Sequence, residues 1–261
     1  MIDRTTPQPA TAERVTAAIA KASARTGVSF DYLMDQARVE SGMRPDARAG
    51  TSSASGLYQF TKQTWLGTVK QHGNAHGLGW AADAISKNAD GTFTVASNEL
   101  RSSILELRNN PESAATMAAE FAANNSEYLQ SRVGGSVEPV DLYLAHFLGA
   151  EGAARFLSAH TENPGQSGAI LFPAAASANR PIFYGDNGSA RSLSEIRQNF
   201  AIKLGNSPAM RPAAARSEWH NSRARDHYPS PTTLARMEPM PKKLDLDFAR
   251  RAYQRLSGDA A

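Results

Sequence analysis

The stretch that decides the fold is residues 37–60, which read Ala-Arg-Val-Glu-Ser-Gly-Met-Arg-Pro-Asp-Ala-Arg-Ala-Gly-Thr-Ser-Ser-Ala-Ser-Gly-Leu-Tyr-Gln-Phe. Four apolar residues at helical spacing lead into it: Phe30, Leu33, Met34 and Ala37. Three residues after Ala37 the same spacing reaches Glu40. A stripe that should face the core therefore ends in an acid.

The helix that carries Glu40 has a clear end. Gly42 stands just past the last predicted turn and Pro45 follows a little later, which is the usual order at a helix C-terminus. A carboxylate on the inward face of a last turn is desolvated and lies near the negative end of the helix, and both effects raise its pKa. The pattern thus predicts that Glu40 is a general acid with a raised pKa.

Length and composition are those of a globular protein. The 261 residues suffice for one good-sized domain with an appendage, or for two small domains. No uncharged apolar run is long enough to predict a transmembrane segment, and Met1 to Thr11 lack the apolar centre of a signal peptide.

Cysteine, histidine and charge restrict the chemistry further. Without cysteine the chain has no disulfide, thiolate metal site or cysteine nucleophile. His72 and His76 are four residues apart, but the glycines around them favour plain loop histidines over a metal site. The net charge of +3 combines −1 over residues 1–205 with +4 over residues 206–261, which hold 10 Lys and Arg against 6 Asp and Glu. No dense basic run accompanies it, so we expect no nucleic-acid partner.

Periodicity predicts an all-α, mainly helical main domain over residues 1–205, with at most a small hairpin in a loop. Ser29 is a predicted N-cap, and Ser192 with Glu195 forms a predicted capping box. Trp80 is assigned to the core, with the wall of a cleft as the alternative. The predicted helices cover residues 11–26, 30–41, 61–71, 80–86, 95–108, 111–132, 140–148, 151–159 and 193–204.

Residues 206–261 differ in character from the rest. They are rich in Pro, Arg and Ser, which is typical of an extended linker with little core of its own. Residues 244–256 could form one short amphipathic helix that docks back on the domain or binds a protein partner.

The motif around Glu40 resembles the lytic transglycosylases, lysozyme-like bacterial enzymes related to goose-type lysozyme that cleave peptidoglycan. The matching residues are Glu40, Ser41, Pro45, Ala47, Ala54, Gly56, Leu57 and Gln59. Residues 142–153, Leu-Tyr-Leu-Ala-His-Phe-Leu-Gly-Ala-Glu-Gly-Ala, are similar to a later family segment that usually reads Ala-Tyr-Asn-Ala-Gly. Together the two matches bracket roughly residues 30–155.

The resemblance implies a lysozyme-like helical domain with a cleft for the glycan strand. Glu40 would be the general acid, then the general base, at the bond between N-acetylmuramic acid and N-acetylglucosamine, with no metal or cofactor. The primary hydroxyl of the muramyl residue would attack, which gives an anhydro sugar. Five residues would serve the substrate or the acid: Ser41, Tyr58, Gln59, Tyr143 and His146.

Two departures from the family pattern affect these roles. The loop between Glu40 and Gly56 is one residue longer than usual, with Ser53 in place of a Gly. When the second segment is aligned on Gly149, His146 falls at the family's Tyr, whereas Tyr143 lies one helical turn earlier on the same face. Either side chain could hydrogen-bond the acid.

Three alternatives compete with this interpretation. Glu40 could be a structural carboxylate paired with Arg38 or Arg44. A lysozyme-type hydrolase would need a second acid about 5–9 Å away, for which Asp46 and Asp83 are the loop candidates. A non-catalytic cell-wall or secretion-apparatus adaptor would keep the cleft and recruit a partner through its tail. The preferred interpretation is a peptidoglycan-cleaving muramidase, which the substrate would place in the periplasm or elsewhere outside the cytoplasm.

Overall fold

A computed structural model describes residues 9–50 and 52–205. Within them the chain forms helices and one small hairpin, and the prediction of a mainly helical domain is confirmed. The α-helices are α1 (Pro9–Thr26), α2 (Phe30–Ser41), α3 (Lys62–His72), α4 (Gly79–Ala84), α5 (Asn98–Glu106), α6 (Pro111–Val133), α7 (Pro139–Leu148), α8 (Ala150–Glu162), α9 (Gly168–Leu171), α10 (Pro173–Ala178), α11 (Arg180–Phe183) and α12 (Leu193–Lys203). Gly73–His76 and Leu107–Asn109 are 3₁₀ turns.

The hairpin joins β1 (Ile85–Lys87) to β2 (Phe93–Val95) in antiparallel register, with Ser86 opposite Thr94. It accounts for two differences from the prediction. Ile85 and Ser86 were assigned to the end of the helix over residues 80–86, but they lie in β1. Val95 was assigned to a helix that begins there, but it ends β2, and α5 starts only after the Ser97 N-cap. An alternation of three residues is too short to be seen in the sequence.

The helix ends form as their capping residues predict. The Tyr32 amide donates to the Ser29 hydroxyl over 3.4 Å, and Ser192 and Glu195 form the reciprocal capping box that begins α12. Gly42 ends α2 in the left-handed conformation at φ 61°, which a glycine adopts without steric cost. The chain therefore turns directly after Glu40 and Ser41.

Two apolar cores meet near the end of α2. The first core packs α1 along α6 with α2 and α3, and includes Ile19, Leu33, Ala37, Trp65 and Met117. The second core is built by α7, α8, α11 and α12, and includes Leu144, Phe156, Phe183 and Phe200. Ala37 belongs to the first core, whereas Val39 packs against the second. Glu40, the next residue, therefore lies where the two cores meet.

Two aromatic residues contradict their predicted places. Trp80 was assigned to the core but is 48% exposed, because Ala81 and Ala82 take the inward positions of the short helix α4. Phe30, the first residue of the predicted stripe, is 37% exposed, and the buried face of α2 runs through Leu33 instead.

The helices α9 to α11 were not predicted, because each has only four to six residues, too few for a helical pattern to be recognised. The predicted linker over residues 206–261, with its helix at residues 244–256, lies outside the described residues. In the part of the chain that is described, no helix combines the length and the apolar character that crossing a membrane requires.

Candidate active site

Glu40 is a buried acid at the end of α2. The residue is 4% exposed, as its position on the apolar stripe predicts. A carboxylate with so little access to water needs hydrogen-bonding partners, because an unpaired buried charge is costly.

Tyr143 and His146 of α7 are the partners that contact Glu40. The Tyr143 hydroxyl donates to Oε1 of Glu40 over 2.9 Å, and Nε2 of His146 lies 3.6 Å from the same oxygen. A spacing of three residues places both side chains on one face of α7. The sequence left open which of the two meets the acid, and the structure brings both to it.

His146 is itself buried, and neither of its ring nitrogens has a hydrogen-bond partner among the described residues. Most buried polar atoms in folded proteins have a hydrogen-bond partner, which can be protein, ligand or ordered water. His146 therefore has unused hydrogen-bonding capacity beside Glu40.

Lys203 is a further contact that the sequence prediction missed. It ends α12, and its ammonium nitrogen donates to the Tyr143 hydroxyl over 3.3 Å. The sequence does contain a signal for it: Ile196, Phe200 and Lys203 follow helical spacing, so a charged residue continues the buried face of α12, as Glu40 does on α2.

The charged and polar groups around Glu40 correct the predicted direction of its pKa shift. Desolvation is the largest single influence and raises the pKa, but the His146 ring, the Lys203 ammonium and the Tyr143 hydroxyl together outweigh it. The pKa of the Glu40 carboxyl therefore lies below its usual value. The prediction of a raised pKa was wrong because it took account of burial and the helix end but not of these three neighbouring side chains.

The loop after Glu40 is held from inside by Gln59 and Arg108. The amide nitrogen of Gln59 donates to the carbonyls of Ala47 and Gly56 over 3.1 and 2.9 Å. The buried Arg108 guanidinium donates to the carbonyls of Ser53 and Phe60 over 2.7 and 2.9 Å.

Gly56 is required at its place in this loop. Its φ is +84°, and a Cβ atom there would lie 1.9 Å from the Arg108 carbonyl oxygen. These contacts fix the path of residues 53–60.

The amino-acid sequence matches a known protein family over the part of the chain that contains Glu40. Residues 17–135 match the family model of the transglycosylase SLT domain. The chain carries an SLT domain. The family consists of peptidoglycan lytic transglycosylases, so the protein is an enzyme that acts on peptidoglycan, and this substrate lies outside the cytoplasm. The matched residues end before α7, so Tyr143, His146 and Lys203 lie beyond them.

Ser41 and Tyr58, two of the predicted site residues, form hydrogen bonds within the protein through their hydroxyl groups. The Ser41 hydroxyl donates to the Ala37 carbonyl over 3.0 Å and accepts the Arg44 amide over 3.2 Å, which closes the end of α2. The Tyr58 hydroxyl donates to the Leu33 carbonyl over 3.2 Å and is buried in the first core. Both residues support the helix that carries Glu40.

The residues named as alternatives have other surroundings. Arg38 pairs with Asp35 over 2.6 Å, and Nε of Arg44 donates to the Ser41 carbonyl over 3.1 Å. Asp46 and Asp83, the candidates for a second acid, are both exposed.

His72 and His76 were predicted to be plain loop histidines, but they end α3 and the following 3₁₀ turn. Both meet Glu120 of α6, with Nδ1 of His72 at 3.3 Å and Nε2 of His76 at 2.6 Å. Asn124 holds the other ring nitrogen of His72 at 2.8 Å. The cluster ties α3 to α6 in the SLT domain.

Proposed function

We propose that this SLT enzyme cuts the bond between N-acetylmuramic acid and N-acetylglucosamine with Glu40 as its general acid and base. The observation that carries the proposal is the contact of Tyr143 with Glu40. It joins the motif of residues 40–59 to the second resembling segment, 103 positions along the chain. General acid–base catalysis needs a carboxyl group held in a fixed position, and Tyr143 holds Glu40 through Oε1.

The two oxygens of Glu40 take different roles in this proposal. Tyr143 and His146 both contact Oε1, so we assign Oε2 to the glycosidic oxygen. The resting carboxylate first takes up a proton. We expect its low pKa to rise when the bound glycan moves the neighbouring side chains and excludes water from the site, because desolvation favours the neutral form.

The reaction then proceeds in two steps. Oε2 donates its proton to the glycosidic oxygen, the C–O bond breaks, and the N-acetylglucosamine side leaves as an alcohol. The Glu40 carboxylate next takes the proton of the muramyl primary hydroxyl while that oxygen bonds to the sugar's C1. The product is an anhydro sugar, and Glu40 is protonated again.

His146 and Gln59 are the residues we assign to glycan binding. The ring nitrogens of His146 have no hydrogen-bond partner among the described residues, and Nε2 lies 3.6 Å from Oε1 of Glu40. The amide nitrogen of Gln59 is used by the loop, so any contact with the glycan would be through its amide oxygen. Only 1% of the Glu40 side chain is exposed, so neighbouring side chains must move as the glycan enters. We place this reaction in the periplasm.

The direct test is Glu40→Gln in the full chain, measured as clearing of purified cell walls. We expect activity to fall by roughly 10²–10⁴ while the thermal melt stays close to wild type. Glu112→Gln is the matched control, because that carboxylate is 62% exposed and pairs only loosely with Lys21 at 3.6 Å. Full activity of the folded Glu40→Gln variant would contradict the proposal.

A further inference from the structure

A chain of hydrogen bonds runs from α12 to the acid. Lys203 donates to Tyr143 over 3.3 Å, and Tyr143 donates to Oε1 of Glu40 over 2.9 Å. The Lys203 nitrogen also lies 5.6 Å from the centre of the Tyr143 ring. Lys203 therefore bears on Glu40 through Tyr143.

Helix α12 is anchored firmly enough to hold Lys203 in place. Arg197 donates to Asp141 over 2.9 Å and to Glu138 over 2.6 Å at the start of α7. Phe200 packs edge-on against the Tyr143 ring with centroids 5.3 Å apart. Helix α12 thus contacts α7 at Arg197 and again at Phe200, one turn before Lys203.

The chain of hydrogen bonds has only one direction. A lysine ammonium has three donors and no acceptor, so the Tyr143 oxygen must accept from Lys203. The single hydrogen of the Tyr143 hydroxyl is then directed at Glu40, and Oε1 is fixed as an acceptor. When Glu40 takes up its proton, that proton must lie on Oε2.

We propose that Lys203 is a positioning residue for Glu40, which fixes the direction of the Tyr143 hydroxyl and so directs the acidic proton to Oε2, the oxygen assigned to the glycosidic bond. This inference rests on the proposed role of Glu40. Without Lys203 the Tyr143 hydroxyl could reverse and accept a proton from Oε1. The proton would then lie on the oxygen that faces away from the substrate.

Lys203 also affects the charge of Glu40. The ionisable groups that act on Glu40 are Tyr32 of its own helix, Tyr143 and His146 of α7, and Lys203 of α12. Lys203 is the aliphatic cation among them. Its removal should raise the pKa of Glu40, because desolvation is then opposed by fewer groups.

The test compares Lys203→Met with Lys203→Arg in the full chain, on soluble peptidoglycan strands across a range of pH. Met removes the donor, whereas Arg is again a donor without an acceptor. We expect Lys203→Met to lower kcat about tenfold, a part of what general acid catalysis supplies, and to move the alkaline limb of the profile to higher pH. Lys203→Arg should restore both. Lys21→Met, at an exposed lysine, is the matched control.

A second measurement tests the effect of Lys203 on Glu40 independently of the proposed catalytic role of Glu40. The Glu40 carboxyl can be titrated by carbon NMR, as the signal missing from Glu40→Gln, in the wild type and in Lys203→Met. A higher pKa in Lys203→Met supports the inference. An unchanged pKa, or an unchanged kcat and pH profile in the folded Met variant, would overturn it. Retained cleavage by Glu40→Gln would instead refute the proposed function and leave the titration valid.

Discussion

Gly56→Ala is the substitution whose cost the structure defines most closely. The new Cβ atom would lie 1.9 Å from the Arg108 carbonyl oxygen, and the backbone φ of +84° already disfavours any residue with a side chain. The clash is with backbone, which cannot rotate away as a side chain could. The loop that follows Glu40 must therefore shift.

The size of the effect follows from two terms. The left-handed conformation costs an alanine about 1–2 kcal/mol. Forcing an extra carbon into a packed site adds about 1–3 kcal/mol. The sum of about 2–5 kcal/mol corresponds to a fall in Tm of roughly 4–20 °C for a domain of this size.

Gly27→Ala is the matched control, because Gly27 has a φ of +77° but no atom within 4 Å of the new Cβ. It should lose only the conformational term of about 1–2 kcal/mol. Both variants are compared by thermal unfolding followed by circular dichroism, and Gly56→Ala should also lose wall cleavage. Equal losses of stability in the two variants would refute the role given to the Arg108 contact.

Three further substitutions test the surroundings of the site. Arg197→Met should cost about 2 kcal/mol in urea unfolding, because it leaves the buried Asp141 without its cation; no loss would contradict the anchoring of α12. Burial lowers the pKa of His72 below 6.5, so the unfolded chain binds more protons than the folded chain as the pH falls below 6.5, and the free energy of unfolding decreases. His72→Gln should make this pH dependence of stability less steep, and an equally steep curve would contradict the shifted pKa of His72. Trp80→Ala should change stability by less than about 0.5 kcal/mol, since the ring is largely exposed, and a loss of several kcal/mol would show that it is core.

The sequence predicted the parts of the site that local patterns encode. Glu40 stood out because an acid ended an apolar stripe, and the capping residues Ser29 and Gly42 fixed the ends of its helix. Tyr143 and His146 were found because a second segment resembled the same family. The fold class followed from helical periodicity along most of residues 9–205.

The missed features depend on contacts between distant parts of the chain. Lys203 reaches the acid from α12, 163 positions after Glu40, and acts together with His146 and Tyr143 to lower the pKa of Glu40 against the effect of burial. Arg108 meets the loop of residues 53–60 through backbone carbonyls, which leave no trace in a pattern of side chains. The prediction that Trp80 is buried was wrong because its hydrophobicity does not show which face of the short helix α4 points to the core.

The most direct test of the central claim is the product formed in water labelled with the heavy oxygen isotope, analysed by mass spectrometry of the released muropeptides. Attack by the sugar's own hydroxyl predicts anhydro products without the label from the wild type, and no products above background from Glu40→Gln. Labelled reducing ends would show hydrolysis by water. Unlabelled anhydro products from Glu40→Gln at the wild-type rate would show that Glu40 is not the acid.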